Sequence, residues 1–216
     1  MKSIKAASLM IAVMFSILSS CSKAQQTTGG AQGSTAEKQN LLSGKNVLIV
    51  YLSRTKNTKA VANIIRQQVG GTLVALELAN PYPENYQAIV AQVVRENESG
   101  FLPLLKTRID SMARYDVVVV GFPTWGMQLP PPVKSFLKQY NLSGKTIVPF
   151  NTNAGYGTGS SFQTVKALCP NSTVLEGFSI RGGIERDGIY FVMQGETEKQ
   201  AQGEIKSWLQ KLKLLK

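Results

Sequence analysis

The stretch from Asp116 to Phe122 constrains the fold most strongly, because it holds four consecutive valines and no polar residue after Asp116. A strand with one face in water alternates apolar and polar residues, whereas a strand covered on both faces is apolar throughout. The run therefore predicts one strand of a parallel sheet that lies between two layers of helices.

Strand and helix patterns alternate on both sides of this run. The other predicted strands are Asn46–Leu52, Thr72–Leu78, Lys145–Phe150 and Thr173–Ile180. Apolar residues at helical spacing predict helices at Thr58–Val69 and Tyr86–Glu98, with Ile89, Val93 and Val94 facing inward, and a short helix at Arg108–Met112. Three more helices carry Val133, Phe136, Leu137 and Tyr140, then Phe162, Val165 and Leu168, and finally Ala201, Ile205, Trp208, Leu209 and Leu212. The last helix is predicted to open with a capping box at Thr197–Gln200. Such alternation predicts a doubly wound α/β domain.

The N-terminal segment has the pattern of a bacterial lipoprotein leader. Lys2 and Lys5 precede a mostly apolar stretch that is too short to span a bilayer comfortably, and Leu18–Cys21 resembles a lipobox. The predicted organisation is a signal peptide at residues 1–20, a flexible polar tether at residues 21–44 and a folded domain at residues 45–216. Cys21 is then the lipidated residue, and its lipid would anchor the protein to a membrane of the cell envelope. An ordinary secretory signal with an incidental cysteine is the alternative.

The residue types present exclude several kinds of chemistry. The chain has no histidine and two cysteines, so histidine-dependent nucleophilic catalysis and imidazole metal centres are excluded, and no metal site is expected. If Cys21 carries lipid, Cys169 has no partner for an intrachain disulfide, and its place before Pro170 is typical of a packed residue.

The chain is strongly basic, with a formal net charge of +11. Such a surface suits anionic partners or a lipid headgroup layer, but it is equally compatible with a solvated surface that binds nothing. No basic stretch is interleaved with aromatic residues, so nucleic-acid binding is not expected.

Three loops with chemically useful residues each follow a predicted strand. Residues 53–58 supply hydroxyls at a helix start, residues 122–126 contain a tryptophan outside any helix or strand, and residues 153–159 are rich in glycine. Ligands of doubly wound sheets bind at the carboxyl ends of the strands, so the coincidence predicts one site. Taken singly, the first loop is also compatible with a helix cap, and the third with a flexible surface connection.

The three loops resemble those of the flavodoxins. Ser53, Thr55 and Thr58 resemble the phosphate loop of that family, with Lys56 where a glycine is usual. Gly121–Trp125 resembles the G-Y-P-I-W-W segment of flavodoxin-like proteins of anaerobic bacteria, with Gly126 at the second tryptophan. Phe150–Ser160 resembles their glycine loop, with Asn153 at a histidine, Ala154 at a glycine and Tyr156 at a serine. The resemblance extends over about Lys45–Lys216.

The resemblance implies a five-stranded parallel sheet of order 2-1-3-4-5 with helices on both faces, and FMN as the cofactor. The function it implies is electron transfer to a redox partner protein or a small-molecule acceptor, with no catalytic side chain. The alternatives are an FMN-dependent quinone or nitro reductase, and a binding module that has lost the cofactor. The residues that the resemblance assigns to FMN are Ser53, Arg54, Thr55, Lys56, Asn57, Thr58, Pro123, Thr124, Trp125, Gly126, Thr152, Asn153, Ala154, Gly155, Tyr156 and Gly157.

Overall fold

The computed structural model describes residues 40–215. The predicted signal peptide, the lipidation site Cys21 and most of the predicted tether lie outside the described residues. Residues just before the predicted domain boundary at residue 45 already contact the folded domain. The Leu41 N–H donates to the Lys213 carbonyl oxygen at 2.8 Å, and Leu42 is buried in the core.

Strands and helices alternate as the sequence predicts. The strands are β1 (Val47–Tyr51), β2 (Thr72–Ala75), β3 (Val117–Pro123), β4 (Thr146–Asn153), β5 (Thr173–Val174) and β6 (Phe178–Arg181). The α-helices are α1 (Asn57–Val69), α2 (Tyr86–Ser99), α3 (Pro131–Gln139), α4 (Ser161–Leu168) and α5 (Gly195–Lys211). Two single-turn 3₁₀ helices lie at Met112–Arg114 and Glu185–Asp187. Within the described residues, no helix combines the length and the apolar character needed to cross a bilayer.

The sheet has the order β2-β1-β3-β4-β5, and every pairing between its strands is parallel. Val119 of the valine run lies between Ile49 of β1 and Val148 of β4. The predicted strand order and the doubly wound α/β architecture are thus confirmed.

The valine run is buried on both faces, as its composition predicts. Val117 and Val119 belong to the core that α1 and α5 cover, while Val118 and Val120 belong to the core that contains α3 and α4 residues. Successive side chains of a strand point to opposite faces, so one apolar strand serves both cores. Because β1, β3 and β4 run parallel, the loops that follow them emerge at the same edge of this sheet.

The fifth strand differs from the prediction because it is interrupted. β5 and β6 both pair with β4, and the chain leaves the sheet between them at Leu175–Gly177. The Glu176 carbonyl oxygen there accepts the indole N–H of Trp208 at 3.0 Å, so it is turned toward α5. A Cβ at Gly177 would lie 2.7 Å from the Phe162 ring, which shows how closely the backbone approaches α4.

Several predicted boundaries are wrong by a few residues. Helix α5 begins at Gly195 without a side-chain cap, so Thr197 lies inside the helix and forms no capping box. The predicted short helix is instead the 3₁₀ turn at Met112–Arg114. Val94 is 44% exposed, although its spacing predicted an inward position. Cys169 is buried as expected, and burial raises the pKa of its thiol to about 11.

Candidate functional site

The loops after β1, β3 and β4 meet at the carboxyl edge of the sheet and form one cleft. Its inner part is lined from the first loop by Thr55 and Thr58, from the second by Thr124 and Trp125, and from the third by Asn153. The outer part continues between Gly126, Met127, Tyr156 and Gly157. Thr124, Asn153 and Ala154 line both parts, so the two form one continuous cleft.

The first loop turns into α1 through a left-handed residue. Lys56 has a φ of 68°, and its carbonyl oxygen accepts the N–H of Ala60 at 2.9 Å. A non-glycine residue in this region costs about 1 kcal/mol or more. The loop therefore keeps the backbone conformation that glycine would favour, while the lysine side chain is exposed.

Four successive backbone N–H groups of this loop have no acceptor. Within residues 40–215, no protein oxygen accepts a hydrogen bond from the N–H of Thr55, Lys56, Asn57 or Thr58. Asn57 and Thr58 are nevertheless only 3% and 2% exposed. Free N–H groups at a helix start, two of them on buried residues and with the helix dipole behind them, form an environment suited to an anion.

The side chain of Asn57 is fully occupied within the protein. Its Nδ2 donates to Thr55 Oγ1 at 2.9 Å and to the Tyr190 carbonyl oxygen at 2.6 Å, and its Oδ1 accepts the Val192 N–H at 3.0 Å. Asn57 therefore joins the first loop to the segment that follows β6. The structure leaves its backbone N–H, and not its amide, for a ligand.

The two remaining hydroxyls have different positions. Thr58 Oγ1 lies 2.8 Å from Thr152 Oγ1, which links the first loop to the end of β4, and both threonines line the cleft. Ser53 Oγ accepts the N–H of Lys59 at 3.2 Å, so it acts as a helix cap. Ser53, Lys56 and Gly155 are the predicted site residues that do not line the cleft.

Arg54 of the first loop bonds to two other segments of the chain, at residues 83–84 and at Glu185. Its Nε donates to Glu185 Oε1 at 2.6 Å, and its other nitrogens donate to the carbonyl oxygens of Pro83 and Glu84. The two charged side chains are only 23% and 16% exposed, which reduces the screening of their ion pair by water. Arg54 is therefore neutralised by Glu185 at the edge of the cleft.

The second and third loops share a buried amide that the sequence did not reveal. Asn151 is fully buried, and its Nδ2 donates to the Phe122 carbonyl oxygen and to Thr124 Oγ1. Thr124 Oγ1 in turn donates to the Gly157 carbonyl oxygen at 3.0 Å. A polar residue inside a buried strand that ends at a predicted site is the pattern that could have identified Asn151.

Trp125 forms a wall of the cleft. Its ring centroid lies 5.5 Å from that of Tyr82, with the ring planes at 81°. The Tyr82 hydroxyl donates to the carboxylate of Glu96 on α2, and burial together with this bond raises the pKa of the phenol. Trp208, by contrast, is a core residue that is 8% exposed.

The turn after Trp125 is a tight hairpin. Gly126 and Met127 have φ values of 57° and 58°, and the backbone groups of Trp125 and Gln128 exchange both hydrogen bonds. Positive φ at both central residues is typical of the type I′ turn, in which glycine is favoured. Gly126 thus meets a backbone requirement of this turn.

Asn153 organises the glycine loop. Its Oδ1 accepts the N–H groups of Gly155 at 2.8 Å and Gly157 at 3.1 Å, and its Nδ2 donates to Asn151 Oδ1 and Ser179 Oγ. Gly155 has a φ of 97°, which requires glycine, whereas Ala154 has no positive φ. The alanine at this position therefore adds no backbone strain.

The outer part of the cleft carries an exposed aromatic side chain. Tyr156 is 64% exposed, and its hydroxyl accepts a hydrogen bond from Arg186 at 3.2 Å. Tyr156 and Trp125 come from different loops, so an aromatic side chain stands in each part of the cleft.

The segment after β6 also contributes to the cleft, which the sequence analysis missed. Gly182, Gly183 and Glu185 line its inner part, and Glu185 lines its outer part as well. The glycine pair directly follows a strand at the same edge of the sheet. The rule that located the other three loops therefore also points to this one.

Comparison with known proteins agrees with this architecture. A sequence model of the flavodoxin family matches residues 46–196, which is more than half of the chain. A candidate flavoprotein from Bacteroides eggerthii is 26% identical, with a TM-score of 0.62, and the match covers 77% of this chain and 96% of that one. No curated protein matches the sequence.

Two more distant solved structures show the same fold. A candidate flavoprotein from Bacteroides uniformis is 22% identical, with a TM-score of 0.62, over 77% of this chain and 98% of that chain. A Lactobacillus acidophilus flavoprotein in complex with FMN is 20% identical, with a TM-score of 0.54, over 67% and 98% of the two chains. The family match and the shared architecture together show that this chain is a member of the flavodoxin family.

Proposed function

We propose that this protein binds FMN in the cleft and transfers electrons. The observation that carries the proposal is the row of four N–H groups at the start of α1 for which residues 40–215 supply no acceptor. Three of these four residues, Thr55, Asn57 and Thr58, line the inner part of the cleft, and other walls of the cleft carry aromatic side chains. In a member of the flavodoxin family, such a cleft suits a ligand that has a phosphate at one end and a flat ring at the other.

The residues present fit the phosphate. The N–H groups of Thr55, Lys56, Asn57 and Thr58 would donate to it, and Thr58 Oγ1 would exchange its contact with Thr152 for one to the ligand. Arg54 takes no part as a free cation, because Glu185 pairs with it. The phosphate would therefore be held by backbone dipoles and hydroxyls, a mode that needs no buried cation.

The ring would lie between Trp125 and Tyr156. Thr124 lines both parts of the cleft, and its backbone N–H already donates to the Thr152 carbonyl oxygen, so its own carbonyl oxygen would remain for the edge of the ring. Gly155 does not line the cleft, and its N–H donates to Asn153 Oδ1. FMN itself supplies one- and two-electron redox chemistry when it is bound. The protein's part is to bind and orient it, and no acidic, basic or nucleophilic side chain is required.

A titration of FMN with the purified chain tests the proposal. Saturable quenching of FMN fluorescence is expected, and Tyr156→Ala should weaken the affinity by about fivefold to tenfold through loss of a stacking face. Tyr190→Ala is the matched control, because Tyr190 is 57% exposed on a neighbouring segment and its ring does not line the cleft.

Two results would redirect the proposal. A colourless protein that leaves FMN fluorescence unchanged would indicate a flavodoxin-fold binding module without the cofactor. Turnover of a nicotinamide donor with a quinone or nitro compound would make the protein a reductase and not a carrier.

The location of the protein is also a proposal. The lipobox-like Leu18–Cys21 and the polar residues after it favour a lipid anchor on Cys21 in the cell envelope. Full-length chain produced in bacteria fed radiolabelled palmitate should incorporate the label, and Cys21→Ser should abolish the incorporation. Cys169→Ala is the control, since that thiol is buried. Incorporation of the label that survives Cys21→Ser would exclude acylation at Cys21.

A further inference from the structure

A second cavity lies on the other side of the second loop, between that loop and α2. It has a volume of about 280 Å³, near the lower end of the range for small-molecule sites, which is about 300 Å³. One wall is the apolar face of α2, formed by Ile89, Val90, Val93 and Val94, and the opposite wall includes Trp125. The cavity is called the α2 groove below.

The apolar wall of the α2 groove is incompletely covered by protein. Val90 is 43% exposed and Val94 is 44% exposed, whereas Ile89 and Val93 on the same helix are 4% exposed. A valine pair that faces solvent beside an aromatic wall gains free energy when an apolar molecule covers it. This explains why the spacing of Val94 is that of an inward residue although the helix packs only Ile89 and Val93.

The α2 groove shares a boundary with the cleft proposed to hold FMN. Arg54, Tyr86, Thr124, Trp125 and Glu185 line both spaces. A molecule in the groove would therefore contact boundary residues, Trp125 among them, that a flavin in the cleft would also contact. That proximity is what an electron acceptor or donor requires.

The polar groups of the α2 groove are suited to a molecule with carbonyl oxygens. Asn97 Oδ1 accepts a hydrogen bond from Lys134 Nζ at 2.8 Å, and its Nδ2 has no acceptor within residues 40–215. The side-chain amide of Gln128 likewise makes no hydrogen bond to the described part of the chain. Two amide donors thus border the apolar wall.

The charges around the α2 groove disfavour an anion. Arg54 is paired with Glu185, and the ammonium group of Lys134, which donates to Asn97, is offset by the carboxylate of Glu98 on the lining. An anion against the valine wall would lose hydration without a net positive charge to compensate it, whereas a neutral ring compound would not.

We propose that the α2 groove binds a neutral, flat compound of the quinone class, with its ring against Val90, Val94 and Trp125 and its carbonyl oxygens toward the amides of Asn97 and Gln128. The role of this site in electron transfer rests on the proposed flavin function, but its ability to bind a quinone does not.

Equilibrium dialysis of 2,3-dimethyl-1,4-naphthoquinone against the full-length chain tests the site directly. This probe is neutral and has no open ring position for addition of a thiol. Saturable binding is expected, and it should persist when FMN is present in excess. Val94→Asn should weaken it by about tenfold, because the side chain loses apolar contact with the ring.

Matched controls separate the groove from the fold and from charge effects. Ala91→Asn introduces the same side chain at another exposed position of α2 that does not line the groove, and should leave the affinity unchanged. The anionic 3-methyl-1,4-naphthoquinone-2-sulfonate should bind at least tenfold more weakly than the neutral probe.

The possible outcomes test the quinone site and the flavin function independently. Absence of saturable binding, equal binding of the sulfonate, or no effect of Val94→Asn would overturn the quinone site. Competition by FMN would also overturn it, because the probe would then occupy the cleft. Quinone binding in a chain that fails to bind FMN would leave the groove proposal intact and refute the flavin function.

Discussion

The first loop and the glycine loop border the same cleft but are built in opposite ways. The first loop is held by partners far away in the chain, since Asn57 bonds to Tyr190 and Val192 and Arg54 bonds to Glu185. The glycine loop is shaped mainly by its own first residue, Asn153, which accepts two N–H groups from the same loop.

The difference lies in what each loop leaves for a ligand. Long-range bonds use the side chains of the first loop, and the N–H groups of Thr55 to Thr58 find no acceptor in the described part of the chain. The local bonds of the glycine loop use its backbone N–H groups and leave its aromatic side chain exposed. One loop therefore offers dipoles and the other offers a ring face.

The largest expected effect comes from the contact between the glycine loop and the second loop. A Cβ on Gly159 would lie 2.0 Å from the Met127 carbonyl oxygen, and the Ser160 N–H also donates to that oxygen. Gly159→Ala should lower the free energy of unfolding by about 3 kcal/mol or more, because backbone must move in addition to the positive-φ strain. Urea denaturation measures the change.

Gly157→Ala is the matched control for this prediction. Gly157 also has a positive φ, at 85°, but a Cβ there would meet no atom within 4 Å. The expected loss is only the backbone strain, about 1–2 kcal/mol. Equal losses in the two variants would show that the contact with Met127 does not hold the loops together.

The second largest effect on stability is expected for the asparagine of the first loop, Asn57, compared with the asparagine of the glycine loop, Asn153. Asn57→Ala should cost about 2–3 kcal/mol, because it removes three hydrogen bonds of a buried side chain and leaves the Tyr190 carbonyl oxygen and the Val192 N–H without these partners. Asn153→Ala should cost about 1 kcal/mol, since the N–H groups that it releases lie in a partly exposed loop. Thermal or urea unfolding of both variants gives the comparison. A costlier Asn153→Ala would reverse the distinction between a long-range and a local loop.

The third effect concerns the left-handed residue of the first loop. Lys56→Gly should stabilise the fold by about 0.5–1 kcal/mol. The substitution relieves the backbone strain at a φ of 68°, and this gain exceeds the loss from the greater conformational freedom of glycine in the unfolded chain. FMN affinity should change less than about threefold, since the side chain is exposed and does not line the cleft.

Lys56→Ala separates charge from backbone geometry in the same experiment. It removes the ammonium group but keeps the strain, so its stability should stay close to that of the parent chain. A marked loss of FMN affinity in both variants would assign the lysine charge a direct part in phosphate binding.

The smallest effect is expected at the opposite edge of the sheet, away from both loops. Asp116 accepts the Asn46 N–H at 2.9 Å, and this bond, aided by the nearby Lys45, holds the pKa of its carboxyl below the usual value. A lowered pKa in the folded state means that the stabilisation is present above about pH 4 and is lost as the pH falls through the folded pKa. The stability difference between the parent chain and Asp116→Asn should therefore shrink on acidification, with FMN affinity unaffected.

The order of the elements and the meeting of three loops at one candidate cleft followed from local pattern. The valine run at Val117–Val120 is apolar because both faces of its strand are covered, and this alone predicts the layered sheet. The three loops were predictable because strand ends in a parallel sheet meet at one edge. Boundaries were less predictable, since the start of α5 and the break at Leu175–Gly177 depend on packing between elements distant in the chain.

The contacts inside the cleft could not be derived from local pattern. The pairing of Asn57 with Tyr190, of Arg54 with Glu185 and of Asn151 with Thr124 joins residues many positions apart. Side-chain amides and guanidinium groups can bond to many partners, and only the folded backbone selects among them. This is why Asn57 was expected to face a phosphate but its amide bonds within the protein.

By itself, the sequence determined the layered architecture, the edge of the sheet at which the candidate cleft opens and the residue types available there, because these follow from periodicity and from chain order. Only the tertiary structure decided that Lys56 adopts the left-handed conformation, that Val94 faces a groove and that Glu185 neutralises Arg54. Each of these depends on the distance and direction between groups that the chain brings together only when it folds.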